Sequence, residues 1–438
     1  MRRCFVFATL ALLCMPVVNA AIVTNTNQSV YFYRLPAHNA STDVDAVYYN
    51  PAGVMKLKNG FHLAVHNQTL FQDRIINSTL KSLNNTEFQG KTKVPVYPNA
   101  YAIYKTDGFA LSFGFGPNAG GGSAEYEKGL PSFETPISML PLMISAAGLP
   151  TSRYSAQISF EGESIFYGFQ ANASFALSDA VAVAGGVRYI YAVNKYEGSL
   201  TNILVNSYQP LLNPTQQMIP AKTLVGAQAA DKSVDVKQVG SGITPIVGLS
   251  LTPAQNLKIG VRYEFNTKIE LENETAKDDL GAYPDGRKER SDIPPVFAVG
   301  AEYGLSPNVR ASVSYTLFLE KQANWEGREE TLDGNSYDLA LGLEFDLTKA
   351  VTLSGGYIYS RSGAREKYQL DTSYDLDSDT YGAGLRIRLG SSVDLDLGGI
   401  YVKYKDQVKK MAVPFYGAYE EKYKQKTTGF GIGLNFHL

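Results

Sequence analysis

The chain of 438 residues carries 42 acidic and 40 basic side chains, and its only two cysteines are Cys4 and Cys14. Because these charges nearly balance, the composition gives no basic footprint for binding nucleic acid. Disulfides and thiolate metal sites are excluded for everything after residue 14.

The first twenty residues indicate a secretory signal peptide. Arg2 and Arg3 precede a short apolar run, and small residues lead up to Ala20, after which we predict cleavage. The run is shorter than the roughly 20 apolar residues that a membrane-spanning helix needs. A lipoprotein signal ending at Cys14 is the alternative, although no small residue precedes this cysteine. Export places the mature protein outside the cytoplasm.

Residues 21–58 precede the first segment with a strand pattern. Asn50-Pro51-Ala52-Gly53, near their end, is a turn signal. A segment of this length either hangs free of the fold or packs inside it as a plug.

From residue 59 onward, apolar residues recur at every second position. In the last such segment the even positions from Phe430 to Leu438 are apolar, and the odd ones are Gly, Asn and His. Elsewhere the alternate positions are charged, as with Lys258, Arg262 and Glu264. Successive strand side chains face opposite sides. An apolar face opposite a charged one is typical of a membrane barrel with a wet lumen.

Fourteen such segments are predicted, at 59–71, 97–105, 108–117, 163–177, 181–195, 233–251, 255–272, 292–303, 308–319, 335–346, 349–361, 379–389, 392–404 and 425–438. Short and long connections alternate between them, and the first long ones past the second strand are 118–162, 196–232 and 273–291. Outer-membrane barrels have short periplasmic turns and long external loops. The sequence therefore predicts an all-β protein, a transmembrane antiparallel β-barrel in the outer membrane of a Gram-negative cell.

The string from Asp43 to Gly53 (DVDAVYYNPAG) resembles the end of the N-terminal hatch in the FadL family of outer-membrane long-chain fatty-acid transporters. Pro98-Asn99-Ala100-Tyr101, followed by the GFALSFG string of 108–114, is similar to the family's second and third strands. The likeness covers essentially the whole mature chain. It implies that residues 21–58 are a hatch plugging the lumen of a barrel formed by residues 59–438, and we expect a monomer without a cofactor.

The resemblance also implies passive transport of hydrophobic molecules, most of all long-chain fatty acids. The ligand would be captured between external loops, pass a hatch that moves, and leave sideways into outer-membrane lipid beside a kinked third strand. The gating residues in the hatch would be Asn50, Pro51, Ala52 and Gly53. The kink would fall at Gly114, Gly116 and Pro117, since Gly weakens a strand and Pro cannot donate to its ladder. The alternative is that the strand simply ends at Pro117.

Two external loops are rich in apolar residues, and exposed apolar patches mark binding surfaces. The predicted ligand groove consists of Ile137, Leu140, Met143 and Ile144 from one loop and Ile203, Leu204, Leu211 and Leu212 from the other. The alternative is that the two loops pack on each other as a lid.

A fatty-acid carboxylate in the lumen would need a cation. The alternation along their strands places Arg188, Arg262 and Arg310 on the inward face, and they are the candidate contacts. Acidic residues such as Glu264 and Glu344 face inward too. Pairing of these charges across the lumen is therefore the competing interpretation.

Other functions have weaker support. The four histidines are His38, His62, His66 and His437, and none lies near a nucleophile motif, so we predict no enzyme and no metal site. His62 and His66 share a strand face and would suit a haem-binding barrel. An open diffusion porin for small polar solutes is the main alternative, and it predicts no plug. The bulky hatch segment 30–36, where the family has small residues, leaves the ligand's identity open.

Overall fold

The computed structural model describes residues 28–211, 213–414 and 416–438. The predicted signal peptide, the beginning of the predicted hatch and Leu212 of the predicted groove lie outside these residues. Within the described part of the chain, no helix is long and apolar enough to cross a membrane.

The fold is a closed antiparallel barrel of 14 strands, as the sequence predicts. The strands are β1 (Gly60–Ser78), β2 (Glu87–Lys105), β3 (Phe109–Tyr126), β4 (Tyr154–Ser178), β5 (Val181–Val205), β6 (Lys232–Ala254), β7 (Leu257–Glu264 and Glu270–Asp278), β8 (Lys288–Arg290 and Val296–Ser306), β9 (Val309–Phe318), β10 (Ser336–Asp346), β11 (Val351–Arg361), β12 (Ser378–Arg388), β13 (Val393–Tyr404 and Gln407–Val413) and β14 (Gly417–His437). Each pairs with the next, and β14 pairs with β1 from His62↔His437 to Ser78↔Glu421, which closes the barrel.

The alternation of side chains is inverted relative to a water-soluble protein. Phe61 and Val65 on β1 are 56% and 60% exposed, whereas the residues that follow them, His62 and His66, are 2% and 1% exposed. Apolar side chains on the outside and polar ones inside are what lipid around a barrel requires. The period-two pattern therefore predicted the orientation as well as the strands.

The strands differ from the predicted spans mainly at the external end. There β3 continues to Tyr126, β4 begins at Tyr154 and β5 continues to Val205, so that the long loops shrink to 127–153 and 206–231. In water, strand pairing needs no apolar face, and the polar side chains of these extensions hide the alternation. The short turns at the other end lie where the sequence predicts them.

The segment from residue 28 to residue 58, called the hatch below, lies inside the barrel. It contains α1 (Val30–Arg34), α2 (Ala46–Tyr49) and a 3-10 helix (Pro51–Lys56). The Ser29 hydroxyl accepts a hydrogen bond from Phe32 N and so caps α1. The external loops contain α3 (Pro131–Ser138), α4 (Leu140–Ala146), α5 (Lys222–Val225), a two-residue strand (Ile219–Pro220) and 3-10 turns at Gly226–Ala229, Glu320–Gln322 and Arg328–Thr331.

Glycines on the inner wall leave space for the hatch. At each of them an added Cβ would come within 2.9 Å of a hatch atom. They come from seven strands and are Gly260, Gly300, Gly342, Gly356, Gly382, Gly398 and Gly431. The hatch therefore packs directly against the barrel wall, which accounts for these seven of the chain's 40 glycines.

Candidate functional site

Asp45, from the hatch motif, is the centre of a hydrogen-bonded cluster. The hydroxyls of Ser29 and Ser41 donate to its carboxylate, and His38 Nε2 lies 2.9 Å from Asp45 Oδ2. Burial lowers the pKa of His38, but the charge and hydrogen bond of Asp45 outweigh burial, so this pKa lies above its ordinary value. The cluster holds the first helix of the hatch to its last turns.

The same cluster has the residue types of a hydrolytic triad in the wrong order. In such a triad the histidine lies between the nucleophile and the acid, so that it can take the nucleophile's proton. Here Asp45 lies in the middle, bound by both Ser29 and His38. The arrangement holds a loop together, with Ser29 donating to the acid and not to the histidine.

The predicted gating residues form a tight turn against the wall. Asn50 Nδ2 donates to the Ser41 carbonyl oxygen at 3.0 Å, and the Pro51 carbonyl oxygen accepts from Ser174 on β4 at 2.8 Å. Ala52 is fully buried. A Cβ at Gly53 would lie 2.4 Å from the Asn50 amide nitrogen, so only glycine fits there. The motif thus fixes the turn that leads into β1.

Two of the predicted lumen cations hold the hatch. Arg188 and Arg262 both contact Glu264, at 2.6 and 3.1 Å. Their guanidinium carbons lie 4.6 and 4.7 Å from the Tyr48 ring centroid, on a hatch side chain. Arg262 also donates to the Tyr48 carbonyl oxygen. Cation–π contacts of this kind are strongest when water is excluded.

A second ionic network lies nearer the periplasmic end. Asp396 is contacted by Arg34 of the hatch at 3.1 Å and by Arg386 at 3.2 Å, and Arg386 also donates to Asp43 at 2.9 Å. Burial raises the pKa of Asp43, but the charges of Arg386 and Arg34 lower it by more, so the net pKa is well below its ordinary value. Hatch and wall are therefore joined by buried charges on both partners.

Arg310, the third predicted cation, completes this network. It contacts Glu344 and Asp346, each at 2.6 Å. Glu344 in turn accepts from Arg34. All three predicted arginines thus lie in the lumen as parity indicated, and each is engaged by a carboxylate.

The ladder between β2 and β3 is interrupted. Pairing runs from Lys105↔Ala110 to Ala100↔Phe115 and resumes only at Lys91↔Glu125. Both strands remain paired with their other neighbours, β1 and β4. The interruption, 92–99 facing 116–124, is called the lateral gap below.

Two irregularities in β3 produce this gap. Its register against β4 shifts between Pro117 and Ala119 and again between Gly120 and Gly122. Gly120 and Gly122 have φ of 80° and 91°, a backbone conformation that favours glycine. Bulges bend a strand and increase its twist. They turn β3 away from β2, and the strand does not end at Pro117.

The predicted kink residues border the gap. Gly114 is still paired with Tyr101, Gly116 is the first residue beyond the pairing, and Pro117 lies at the first register shift. A small cavity beside them is lined by hatch residues Val47 and Tyr48 as well as by Gly114 and Gly116. Hatch and gap are therefore adjacent.

Tyr97 fills the gap from the β2 side. Its hydroxyl lies 3.3 Å from the Pro117 carbonyl oxygen and 3.4 Å from that of Gly120, and the side chain is 3% exposed. Among the described residues, Asn99 Nδ2 and Asn118 Oδ1 nearby are buried without a hydrogen-bond partner. Unsatisfied buried polar atoms cost stability, so this closure is weaker than a continuous ladder.

The predicted groove residues are packed together. Ile137, Leu140 and Ile144 are 1%, 4% and 3% exposed and share one apolar cluster with Ile203, at 4%. Met143 and Leu204 are half-buried, and Leu211 is 95% exposed. α3 and α4 pack on the end of β5 and on Ala221 and Ala229 of the 206–231 loop, which is the lid arrangement named above as the alternative to an open groove.

A larger external cluster was missed by the sequence reasoning. It lies on the extensions of the strands, on α3 and on the 362–377 loop, and it includes Phe88, Tyr126, Phe133, Phe160, Tyr196, Tyr374, Tyr419 and Tyr423. The Arg74 guanidinium carbon lies 4.0 Å from the Tyr374 ring centroid, and Arg74 also donates to the Tyr374 carbonyl oxygen at 3.1 Å. Arg74 makes no ion pair within 4.0 Å among the described residues. Extending the alternation of inward-facing residues past the predicted end of β1 would have identified Arg74.

Below this cluster a cavity lies between the hatch and the wall. It is lined by Phe32 and Tyr49 of the hatch and by Val296, Phe318 and Ile358 of the barrel. Its free volume is about 30 Å³, room for about one or two waters. A ligand could pass only if the hatch or these side chains move.

The strand histidines make ordinary polar contacts. His62 Nδ1 lies 2.8 Å from His437 Nδ1, and His66 Nε2 lies 3.0 Å from Asn435 Oδ1. Within the residues that the structure describes, no three His, Cys, Asp or Glu side chains are grouped so as to hold a metal ion.

Residues 221–436 match the family described as outer membrane protein beta-barrel domain. A Pseudomonas aeruginosa FadL homologue has a TM-score of 0.66 at 14% identity, over 95% of this chain and 99% of that one. The Pseudomonas putida toluene transporter TodX has a TM-score of 0.62 at 11% identity, over 95% of this chain and 100% of that one. The Ralstonia pickettii toluene transporter TbuX has a TM-score of 0.54 at 14% identity, over 90% of this chain and 94% of that one. No curated protein sequence matches the chain.

The chain is therefore a multi-pass β-barrel protein of the outer membrane. Among such barrels it has the FadL-type fold, with 14 strands around an N-terminal hatch, so the resemblance stated from the sequence holds at the level of the fold.

Proposed function

We propose that this protein carries hydrophobic small molecules across the outer membrane by passive transport. The observation that supports this most strongly is the lateral gap, because it is a break in the barrel wall beside a plugged lumen. An open porin needs a continuous water-filled lumen, which the hatch occupies here. A hydrophobic ligand, in contrast, gains by leaving through the wall into lipid, since apolar surface is then removed from water.

The proposed route begins at the external end. A ligand enters by parting the lid formed by α3, α4 and the 206–231 loop, and then contacts the aromatic cluster around Tyr374. A shift of the hatch next widens the cavity lined by Phe32 and Phe318. The ligand finally passes Tyr97 and leaves through the lateral gap. No step requires an energy source other than the ligand's concentration gradient.

We further propose that the ligands include long-chain fatty acids, with Arg74 as the carboxylate contact. Arg188, Arg262 and Arg310 are already engaged by Glu264, Glu344 and Asp346. Arg74 lies among tyrosines and has a positive charge that no carboxylate within 4.0 Å balances in the described part of the chain. An apolar surface with one such cation suits an amphiphile.

Uptake into proteoliposomes tests both proposals. Wild-type protein should admit labelled oleate and toluene but not a sugar of similar size. Arg74→Gln should weaken oleate binding about tenfold, by loss of one charge-assisted contact, and leave toluene unchanged. Gly116→Leu, which fills the gap, should abolish the uptake of both, while Gly108→Ala, with no atom near its Cβ, serves as the control.

The outcomes are separable. Equal loss of oleate and toluene in Arg74→Gln would refute the carboxylate contact and leave the route intact. Unchanged uptake in Gly116→Leu would refute lateral release. Free passage of the sugar through the wild-type protein would favour the diffusion porin.

A further inference from the structure

The outer wall carries a concentration of lysines next to the aromatic belt at the external end. Six lysines face outward here, and two aspartates lie among them on neighbouring strands. Five of the lysines are on β2, β13 and β14, and the sixth, Lys405, directly follows the first segment of β13. This surface, called the basic rim below, consists of Lys91, Lys93, Lys403, Lys405, Lys424 and Lys426, with Asp73 and Asp379. The chain as a whole has a net charge of −2, so the excess is local.

The strand register places the basic rim at a definite height. Phe71, Thr428, Tyr401 and Tyr381 are consecutive cross-strand neighbours on the outer face. Tyr401 and Tyr381 are 41% and 51% exposed, as expected for an aromatic belt at the lipid–water boundary. Two residues further toward the external end, the corresponding row is Lys91, Asp73, Lys426, Lys403 and Asp379. That is the level of lipid headgroups.

Two of these lysines are placed against each other. Lys403 and Lys426 are directly opposite in the β13–β14 ladder, and both are exposed. Like charges in this position destabilise a sheet. No ion pair within 4.0 Å relieves either of them among the described residues, and Asp379 instead accepts from the Tyr357 hydroxyl. Each lysine has an aspartate directly opposite on its other side, Asp379 for Lys403 and Asp73 for Lys426, and an anion between the two ammonium groups would relieve the repulsion that remains.

Aromatic rings hold the ammonium groups near the belt. Lys405 Nζ lies 4.5 Å from the Tyr359 ring centroid, and Lys426 Nζ lies 5.9 Å from that of Tyr401. These contacts keep the two lysines over the membrane boundary and restrict their extension into water. The cations are therefore positioned toward the leaflet.

We infer that the basic rim binds the phosphate of a lipid headgroup in the outer leaflet, with Lys403 and Lys426 clamping the phosphate and the other lysines adding to the local field. Lysines near a membrane surface attract anionic lipids, each by a modest amount. The acyl chains would lie on the apolar wall below Phe71 and Tyr401. The lipid would thus be bound on the outside of the barrel, apart from the transport route.

Binding of lipid A, a glycolipid with two phosphates, to the purified full-length protein in detergent micelles tests this inference. The double variant Lys403→Gln/Lys426→Gln should raise the lipid A concentration for half-saturation at least about tenfold. The matched control is Lys237→Gln/Lys277→Gln, whose lysines are exposed at the same end but paired with Glu274 and Asp279 at 2.7 Å. The control should bind as the wild type does.

Three results would overturn the inference. Equal lipid A affinity of the double variant and the wild type would show that Lys403 and Lys426 do not form the site. Equal weakening of lipid A binding in the control would show only a general effect of charge. Displacement of lipid A by millimolar inorganic phosphate would show a free-anion site instead. Melting curves without lipid guard against misfolding, since the double variant should melt no lower than the wild type once the like-charge repulsion is gone.

Discussion

The Tyr97 hydroxyl on β2 lies 3.3 Å from the Pro117 carbonyl oxygen on β3. This contact crosses the lateral gap, where β2 is not paired with β3 between Lys91 and Ala100. The side chain bridges strands whose backbones have separated. It therefore occupies the opening through which the proposed route leaves the barrel.

Tyr97→Ala should increase the uptake of hydrophobic ligands, because it removes both the bridge and the ring that fills the gap. Tyr97→Phe keeps the ring and loses one neutral hydrogen bond, about 1 kcal/mol, so its effect should be smaller. Toluene and oleate uptake into proteoliposomes measures this, with sugar leakage as the control. Slower uptake in Tyr97→Ala would mean that the tyrosine guides the ligand instead of obstructing it.

Much of the barrel could be predicted from the sequence, because lipid and lumen impose opposite demands on alternate residues such as Val65 and His66. The hatch motif was also recognisable, since Gly53 and Asn50 form a turn that only these residue types allow. The partners of Arg34 could not be predicted. Glu344 is 310 residues away in the sequence, and parity says which charges face inward but not which ones meet.

The lateral gap lay beyond sequence reasoning for a different reason. Pro117 cannot donate to a ladder, so the sequence allowed either a kink or a strand end. The structure has β3 continuing through two bulges to Tyr126. What distinguishes the two cases is the pairing with β4, which no local pattern encodes.

The glycines under the hatch provide a second test. An added Cβ at Gly398 would lie 2.8 Å from Tyr33 Cβ, so Gly398→Leu should displace the hatch from the wall. Gly399→Ala, whose Cβ would meet nothing closer than 3.5 Å, is the matched control. Ion conductance in planar bilayers should rise in the first variant only. An unchanged ion conductance in Gly398→Leu would indicate that the hatch can shift without opening a path.

Asp396 joins hatch and wall through two arginines. Asp396→Asn would leave Arg34 and Arg386 with one carboxylate fewer in a fully buried site. Breaking a buried pair in this way typically costs about 3–5 kcal/mol, and we expect this loss to appear as a hatch that proteases cleave more readily. Lys237→Gln, which breaks an exposed pair with Glu274, should leave cleavage unchanged. Equal cleavage of Asp396→Asn and wild type would assign the hatch's stability to packing alone.

The lid can be tested through its two loops. Leu140 lies in the cluster that α4 shares with Ile203, and the half-buried Leu204 follows Ile203 at the end of β5. Leu140→Asp with Leu204→Asp should separate the loops, since burying two charges in an apolar contact is unfavourable. Ligand capture should weaken if the lid's apolar surface binds ligand, and should accelerate if the lid only obstructs. The far more exposed Leu211→Asp is the control and should change neither rate.

His38 gives the hatch a dependence on pH. Asp45 raises the pKa of His38 above its ordinary value of about 6.5, so the folded hatch favours the protonated imidazole. For a group shifted in this direction, the added stability is fully present below pH 6.5 and is lost as the pH rises through the raised pKa. Protease cleavage of the hatch, or conductance of the barrel, should therefore increase from pH 6 to pH 9. In His38→Gln the amide retains a hydrogen bond to Asp45 but does not titrate, and this rise should disappear. A rise of the same size in the variant would move the pH dependence to other groups, because the hatch would then loosen without any change in the charge next to Asp45.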